Sequence, residues 1–399
     1  MQELVLREYE TQDKIALDAQ QVKLLLNLRK PLNLEITPAW GGLYTLKANA
    51  CVGVVQSANF RLQIKPKIPV TNLFFLLAYA SGLTLWPNFQ AEYQASEDIY
   101  EILALCFARS VSQLLRQGIL QGYRTEAEAL NMLRGRIDFA LQIREYFGRI
   151  PPIQCEYQLF TEDIPENQIL AATLRVLNQV RFRSSQLNQQ LAQQARQLGG
   201  VSLLQRPLLT LSQMQWTRLN QRYAPALSLA RQILQHAGFS ENLGEVKASS
   251  FIVDMNRAFE DFVVIALREA LQLDAKSFPQ NATGRYLYLD EHRDIHLKPD
   301  LSWWQGRDCL FIGDVKYKRT QQGLAKREDI YQLLAYLDAT QLNWGLLIYA
   351  ETSAKPHVYT LKSGKSIDAV ALDLLATPQE ILTQIQAVAD LIREKVGRP

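Results

Sequence analysis

Toward its C-terminal end the chain reads Leu297-Lys298-Pro299-Asp300-Leu301 and, after a short hydrophilic break, Cys309-Leu310-Phe311-Ile312-Gly313-Asp314-Val315-Lys316-Tyr317-Lys318. Side chains alternate across a strand, so Asp314 and Lys316 point the same way while Val315 turns into packing. If the segment around Asp300 pairs beside this strand, two carboxylates and one ammonium converge on a point. Carboxylates and water suit Mg²⁺, which can polarise a phosphate and lower the pKa of a bound water. The lysine would act on that water or neutralise charge on the phosphate. An acid at a strand start followed by an exposed lysine gives the same tripeptide, so its neighbours decide the reading.

Upstream, the run from Ser250 to Leu267 reads as one helix, with Ser249 or Ser250 as N-cap and Ile252, Met255, Phe259, Phe262, Val263 and Ala266 as its apolar stripe. Glu260 sits beside that stripe, either aimed at the site as a further metal-supporting carboxylate or solvated at the stripe edge. Downstream, Asp329 to Tyr336 is helical in pattern, and Gln332 and Tyr336, four apart, share one face. That pair either lines the site or leaves Tyr336 capping the core. Strands are expected at 285–289, 295–303 and 309–317, then a helix from about Ala325 to Asp338. Further strands follow at 343–349 and 357–361, with a closing helix at 378–396. Helix, three strands, helix, strand is an α/β arrangement.

With 399 residues the chain has material for two or three domains. Its 48% hydrophobic content is that of a globular protein, and no apolar run approaches the roughly 20 residues a bilayer requires. The start, Met1 to Glu8, is too polar and acidic for a signal peptide. Cys51, Cys106, Cys155 and Cys309 stand alone, without Cys-x-x-Cys spacing, which speaks against zinc and disulfides and for a cytoplasmic location. Residues 109–231 carry fifteen basic and eight acidic side chains, and all fifteen are arginine. Such a region suits bidentate contact with phosphates or a partner's carboxylates, or simply packs arginine stems on helices.

The fold expected is a multidomain α+β chain. A small β-rich N-terminal module spans 1–95, with strands near 3–8, 42–48, 52–56 and 60–65. A mainly helical, arginine-rich middle region spans 96–244, with helices near 99–117, 163–181 and 186–197 and a strand-like piece at 150–160. An α/β domain spans 245–399, and the polar stretch from Phe239 to Glu245 marks the last boundary. Gly364-Lys365-Ser366 looks like the end of a phosphate-binding loop. Tyr359 stands where that loop needs glycine, and the context reads as a strand end before a helix start.

The Pro-Asp…Asp-x-Lys layout resembles the PD-(D/E)xK nuclease core, and Gln-x-x-x-Tyr after it resembles the extra motif of RecB-like nucleases. Over nearly its whole length the chain resembles the McrC family, the nuclease subunit of McrBC-type modification-dependent (type IV) restriction systems. The segments that carry this are Ala50 to Val55, Leu62 to Ile68, Leu133-Arg134-Gly135-Arg136-Ile137-Asp138, Phe160 to Leu170, Met255-Asn256, Phe259-Glu260, Pro299-Asp300 and Asp314-Val315-Lys316-Tyr317. The resemblance implies a Mg²⁺-dependent endonuclease cutting modified, methylcytosine-containing double-stranded DNA with a McrB-like AAA+ GTPase hexamer as partner. The N-terminal module would contact that motor and stimulate its nucleotide hydrolysis, with Thr37 to Tyr44 as its tip, unless Trp40 packs on its own module. The catalytic roles implied fall on Asp300, Asp314 and Lys316. Glu260, Gln332 and Tyr336 extend the site by analogy with the wider nuclease class, with Asp300, Asp314 and Glu260 toward the metal. Two other readings fit the same residues: a free-standing RecB-like repair nuclease, and a non-catalytic activator of the motor.

Overall fold

The N-terminal segment folds into β1 (Gln2–Arg7), β2 (Thr11–Ile15), α1 (Ala19–Asn27), β3 (Leu34–Pro38), β4 (Tyr44–Ala48), β5 (Cys51–Ser57), β6 (Phe60–Lys65) and α2 (Val70–Ala80). These come from a computed structural model that describes residues 2–27, 34–81, 98–147, 149–240, 248–318, 325–351 and 356–397. The four expected strands correspond to β1, β4, β5 and β6, whereas α1 was not expected within a β-rich module. β5 and β6 pair antiparallel, and β1 adds parallel to β6, so Leu6, Val55, Leu62 and Ile64 meet in one core. β2, β4 and β3 form a second, three-stranded sheet. The β3–β4 hairpin ends in Gly41 and Gly42, both at positive φ, and its tip leaves Trp40 96% exposed. Trp40 therefore does not pack on its own module.

The middle segment holds α3 (Ile99–Arg116), β7 (Gly122–Leu130), β8 (Arg136–Ile137), α4 (Phe139–Tyr146), β9 (Ile153–Thr161), α5 (Pro165–Leu177), α6 (Ser185–Gln197), α7 (Pro207–Gln213), α8 (Ala224–His236) and β10 (Ala237–Ser240). It is less purely helical than its periodicity suggests, because β7 pairs with the whole of β9, and β8 pairs with β9 on its other side. Gly135 enters this sheet at φ +73°, and a Cβ there would run into the Glu156 carbonyl and Tyr157. Only glycine combines that conformation with that approach. Asp138 then caps α4 by accepting from Leu141 N at 2.9 Å. Asn167 donates to the Leu120 and Glu162 carbonyls at 2.8 and 2.7 Å and accepts from Tyr223 Oη at 3.0 Å. A buried amide that satisfies three partners fixes where α5 begins.

The C-terminal segment contains β11 (Ala248–Asp254), α9 (Met255–Leu271), β12 (Leu287–Tyr288), β13 (His296–Leu297), β14 (Leu301–Gln305), β15 (Asp308–Lys316), α10 (Arg327–Ala339), β16 (Trp344–Ala350), β17 (His357–Thr360), β18 (Ser366–Leu372) and α11 (Pro378–Val396). The helix expected from Ser250 is corrected: Ser250 to Val253 belong to β11, which pairs antiparallel with β5. Phe-Ile-Val is a β-favouring run, and at Gly53 of β5 the absence of a side chain lets Phe251's backbone approach closely. Asp254, not Ser249 or Ser250, is the N-cap of α9, accepting from Asn256 N at 2.9 Å. The single strand expected at 295–303 is broken at Pro299-Asp300 into β13 and β14, since proline cannot donate to a ladder. The helix start expected after Ser366 is a strand, β18, parallel to β16.

The second large sheet has the order β14-β15-β16-β18-β17, with β15, β16 and β18 parallel. α10 lays Leu333, Tyr336 and Leu337 on Ile312 and Leu347 of this sheet. α9 packs against α11 and β15. The chain forms two compact units, residues 1–99 with 238–399, and residues 100–237. The segments 1–95 and 245–399, read separately in the sequence, thus share one unit, β11 completing the N-terminal sheet. Most of the boundary stretch Phe239 to Glu245 lies outside the described residues. No helix of the described residues is long and apolar enough to cross a membrane.

Candidate active site

Leu301 of β14 pairs with Gly313 of β15, which sets Asp300 beside Asp314 at the end of the ladder. Asp300 is locked there by the Val315 N–H, which donates to its Oδ2 at 2.9 Å. Asp314 is 1% exposed, and the Lys316 ammonium is in direct contact with its Oδ2. Burial, then the charge of Asp314 and a hydrogen bond to it, then the charge of Glu260, push the Asp300 carboxyl up to about 8. A negative charge this close disfavours ionisation of Asp300. Burial pulls the Lys316 ammonium down, but the charge of Asp314, with Asp300 and Asp329 behind it, outweighs burial and raises its pKa.

Glu260, on the first turns of α9, borders the same space: the Asp314 charge contributes to its raised pKa, after burial and Asp261. Its Oε1 accepts from Asn281 Nδ2 at 2.7 Å. Asn281 occupies the left-handed region at φ +50°, which asparagine tolerates better than most residues, and its N–H reaches the Asp300 carbonyl at 3.4 Å. On α10, Gln332 Nε2 donates to Tyr336 Oη at 2.6 Å, and Tyr336 Oη donates to the Lys298 carbonyl at 3.3 Å. Burial, then Asp314, pushes the Tyr336 phenol up to about 12. One turn earlier, buried Asp329 accepts from Lys318 Nζ at 2.7 Å and Tyr349 Oη at 2.8 Å.

Glu260, Lys316 and Tyr336 thus lie within electrostatic reach of Asp314, beside Asp300, and Gln332 joins them through its hydrogen bond to Tyr336. Three contributors were not expected: Asn281, which orients Glu260, and the pair Asp329 and Lys318. Asn281 gave no periodic signal, lying in a short 3₁₀ turn, and Asp329 entered the sequence reading only as the start of a helical run. Among the described residues no group of three His, Cys, Asp or Glu side chains could hold a metal ion by itself. Mg²⁺ ordinarily takes one or two carboxylates and fills its remaining positions with water and substrate phosphate. The buried Asp314 carboxylate, beside Asp300, fits that donor set.

A family model described as McrBC 5-methylcytosine restriction system component matches residues 46–350. The chain is 25% identical over 319 residues to a curated relative from Escherichia coli (strain K12), the type IV methyl-directed restriction enzyme EcoKMcrBC, covering 74% of this chain and 88% of the relative. Its fold is similar, at a TM-score of 0.64 and 19% identity, to a chain in the refined half-complex from the tetradecameric assembly of Thermococcus gammatolerans McrB AAA+ hexamers with bound McrC. That match covers 98% of this chain and 100% of the other.

Proposed function

The chain belongs to the family of McrBC 5-methylcytosine restriction system components, and from that membership we propose that it is the nuclease subunit of such a system. In this reading it is a Mg²⁺-dependent phosphodiester hydrolase of the PD-(D/E)xK type that cuts methylcytosine-containing double-stranded DNA. The observation that carries it is Asp314: a deeply buried carboxylate set beside a second carboxyl and in contact with an ammonium. A buried charge so placed is costly unless an ion or reacting group completes its surroundings.

Asp300 and Asp314 would hold the cation, with Glu260 supporting it or a water near it. The cation would supply Lewis acidity toward the phosphate and a bound water of lowered pKa. Loading the pair requires Asp300 to release its proton, so cation affinity rises with pH. Lys316, whose pKa is raised, is a poor general base and a good fixed cation; it offsets the negative charge that builds on the phosphate. Gln332 and Tyr336, joined to each other and to the Lys298 carbonyl, hold the DNA backbone against this edge.

The partner proposed is a McrB-like AAA+ GTPase hexamer, supported by family membership and by the company of McrC in the Thermococcus assembly. The exposed Trp40 hairpin is the element offered to it. The test is cleavage of methylated and unmethylated plasmid with Mg²⁺, by the chain alone and with its AAA+ partner and GTP. Cutting that needs partner, nucleotide and methylation supports the proposal. Cutting by the chain alone on unmethylated DNA replaces it with a free-standing nuclease.

A further inference from the structure

Lys316 is followed directly by a tyrosine whose hydroxyl points away from the site, into the N-terminal sheet. Tyr317 is 7% exposed, and its Oη donates to Glu8 Oε2 at 3.1 Å. Glu8, 2% exposed at the end of β1, accepts through the same oxygen from Lys67 N at 2.7 Å, while its own N–H donates to the Lys65 carbonyl at 3.1 Å. Tyr9 closes the contact from the other side, its Oη donating to the Tyr317 carbonyl at 3.2 Å. The Tyr317 ring also lies against Phe259, the residue before Glu260, with ring centroids 5.9 Å apart. One buried side chain therefore links the strand that carries Asp314 and Lys316, the helix that carries Glu260, and Glu8 at the end of β1, which in turn bonds the chain at the end of β6.

On the reading given above, we propose that Tyr317, anchored on Glu8, is a positioning residue that sets Lys316 and Glu260 relative to Asp314. β15 ends at Lys316, so no ladder bond beyond it fixes the height of that ammonium. The Glu8 and Tyr9 bonds replace the missing ladder. A buried carboxylate accepting a phenol is a costly device if packing alone were needed, since phenylalanine fills the same volume. Its advantage over packing is direction, because it ties the catalytic strand to the sheet that begins the chain.

The full-length chain, assembled with its AAA+ partner, is assayed on methylated plasmid with Mg²⁺ for kcat and KM. The variants are Tyr317→Phe, Glu8→Leu, their combination, Glu8→Gln, and Asp314→Asn as reference. Tyr317→Phe is expected to lower kcat by on the order of tenfold to a hundredfold, the scale of small misplacement of a reacting group, with KM and stimulation of the partner's nucleotide hydrolysis unchanged. Glu8→Leu should match it, the double variant should lose no more than either alone, and Glu8→Gln, which keeps an acceptor oxygen, should restore most of the rate. Wild-type kcat in Tyr317→Phe, or strictly additive losses, overturns the proposal; should Glu8→Leu not fold, the Tyr317→Phe rate decides it. Cutting retained in Asp314→Asn would instead overturn the nuclease reading itself.

Discussion

The main-chain N–H of Val315 holds the side chain of Asp300 at 2.9 Å, so the carboxyl that follows Pro299 is registered to the very strand that carries Asp314 and Lys316. A side chain fixed by a backbone donor keeps its place whether or not it carries charge. Asp300→Asn retains an oxygen acceptor for that bond and is expected to fold with near wild-type stability. Cleavage should fall by at least about a hundredfold, because an amide neither neutralises a cation nor takes the charge the site is built around. Thermal unfolding beside plasmid cleavage separates the two effects; an active Asp300→Asn would remove this residue from the metal site.

Asn281 offers a second handle. It orients Glu260 by hydrogen bond, alongside a bond from Gln280, and it does so from a left-handed backbone. Asn281→Ala loses the bond and adds strain of about 1 kcal/mol for a side chain at positive φ. Asn281→Gly loses the bond but not the conformation. Both should cut more slowly by several-fold if Glu260 supports the site, and the alanine variant should also melt lower. Equal cutting by wild type and both variants would mean that the Asn281 bond does not position Glu260 for the chemistry.

Much of this was legible because it is periodic. β6 and α11 fall on their expected bounds, and the alternation of Asp314 and Lys316 along β15 puts both on one face. The i,i+4 spacing of Gln332 and Tyr336 became a direct hydrogen bond. What failed failed for tertiary reasons. Ser250 to Val253 satisfies a helical stripe and a strand equally, and only pairing with Gly53 of β5 decides between them. β7, with exposed Thr125, Ala127 and Ala129, has no buried face to announce it; its partner β9 makes it a strand. Asn281 and the Glu8–Tyr317 bond depend on residues 21 and 309 positions away, a kind of contact no local pattern encodes.

The unit spanning 100–237 carries its own acid sensor in Asp163. Burial alone would raise its carboxyl, but hydrogen bonds from Gln168 and Ser202 and the Arg124 guanidinium overrule burial and hold it below the usual carboxylate range. A depressed native pKa adds stability that is fully present above the unfolded value of about 3.9 and is lost as pH falls through the native one. Asp163→Asn should therefore lower stability at pH 7 by less than the roughly 1.5–3 kcal/mol of a sheltered charged hydrogen bond, since solvent screens this site, and flatten the fall in stability below pH 4. Unfolding midpoints from pH 3 to 7 test this. An unchanged acid limb in the variant would show that other carboxylates set it.

The contact of Lys316 with Asp314 combines a structural with a chemical role, and the two can be pulled apart. Lys316→Met leaves Asp314 buried beside Asp300 without a counter-charge, and removing one member of such a pair costs about 3 kcal/mol or more when nothing replaces it. Adding Asp314→Asn removes the stranded charge, so the double variant should regain most of the lost stability. Cleavage cannot return with it, since both the metal-side carboxylate and the charge over the phosphate are gone. Denaturant unfolding of the two single variants and the double gives the coupling between the residues, and cleavage of methylated plasmid by the same proteins gives the chemistry. Additive stability losses would mean that Lys316 reaches solvent rather than Asp314. Restored stability without restored cutting is the pattern expected when an ion pair is retained for the reaction it serves rather than for the fold.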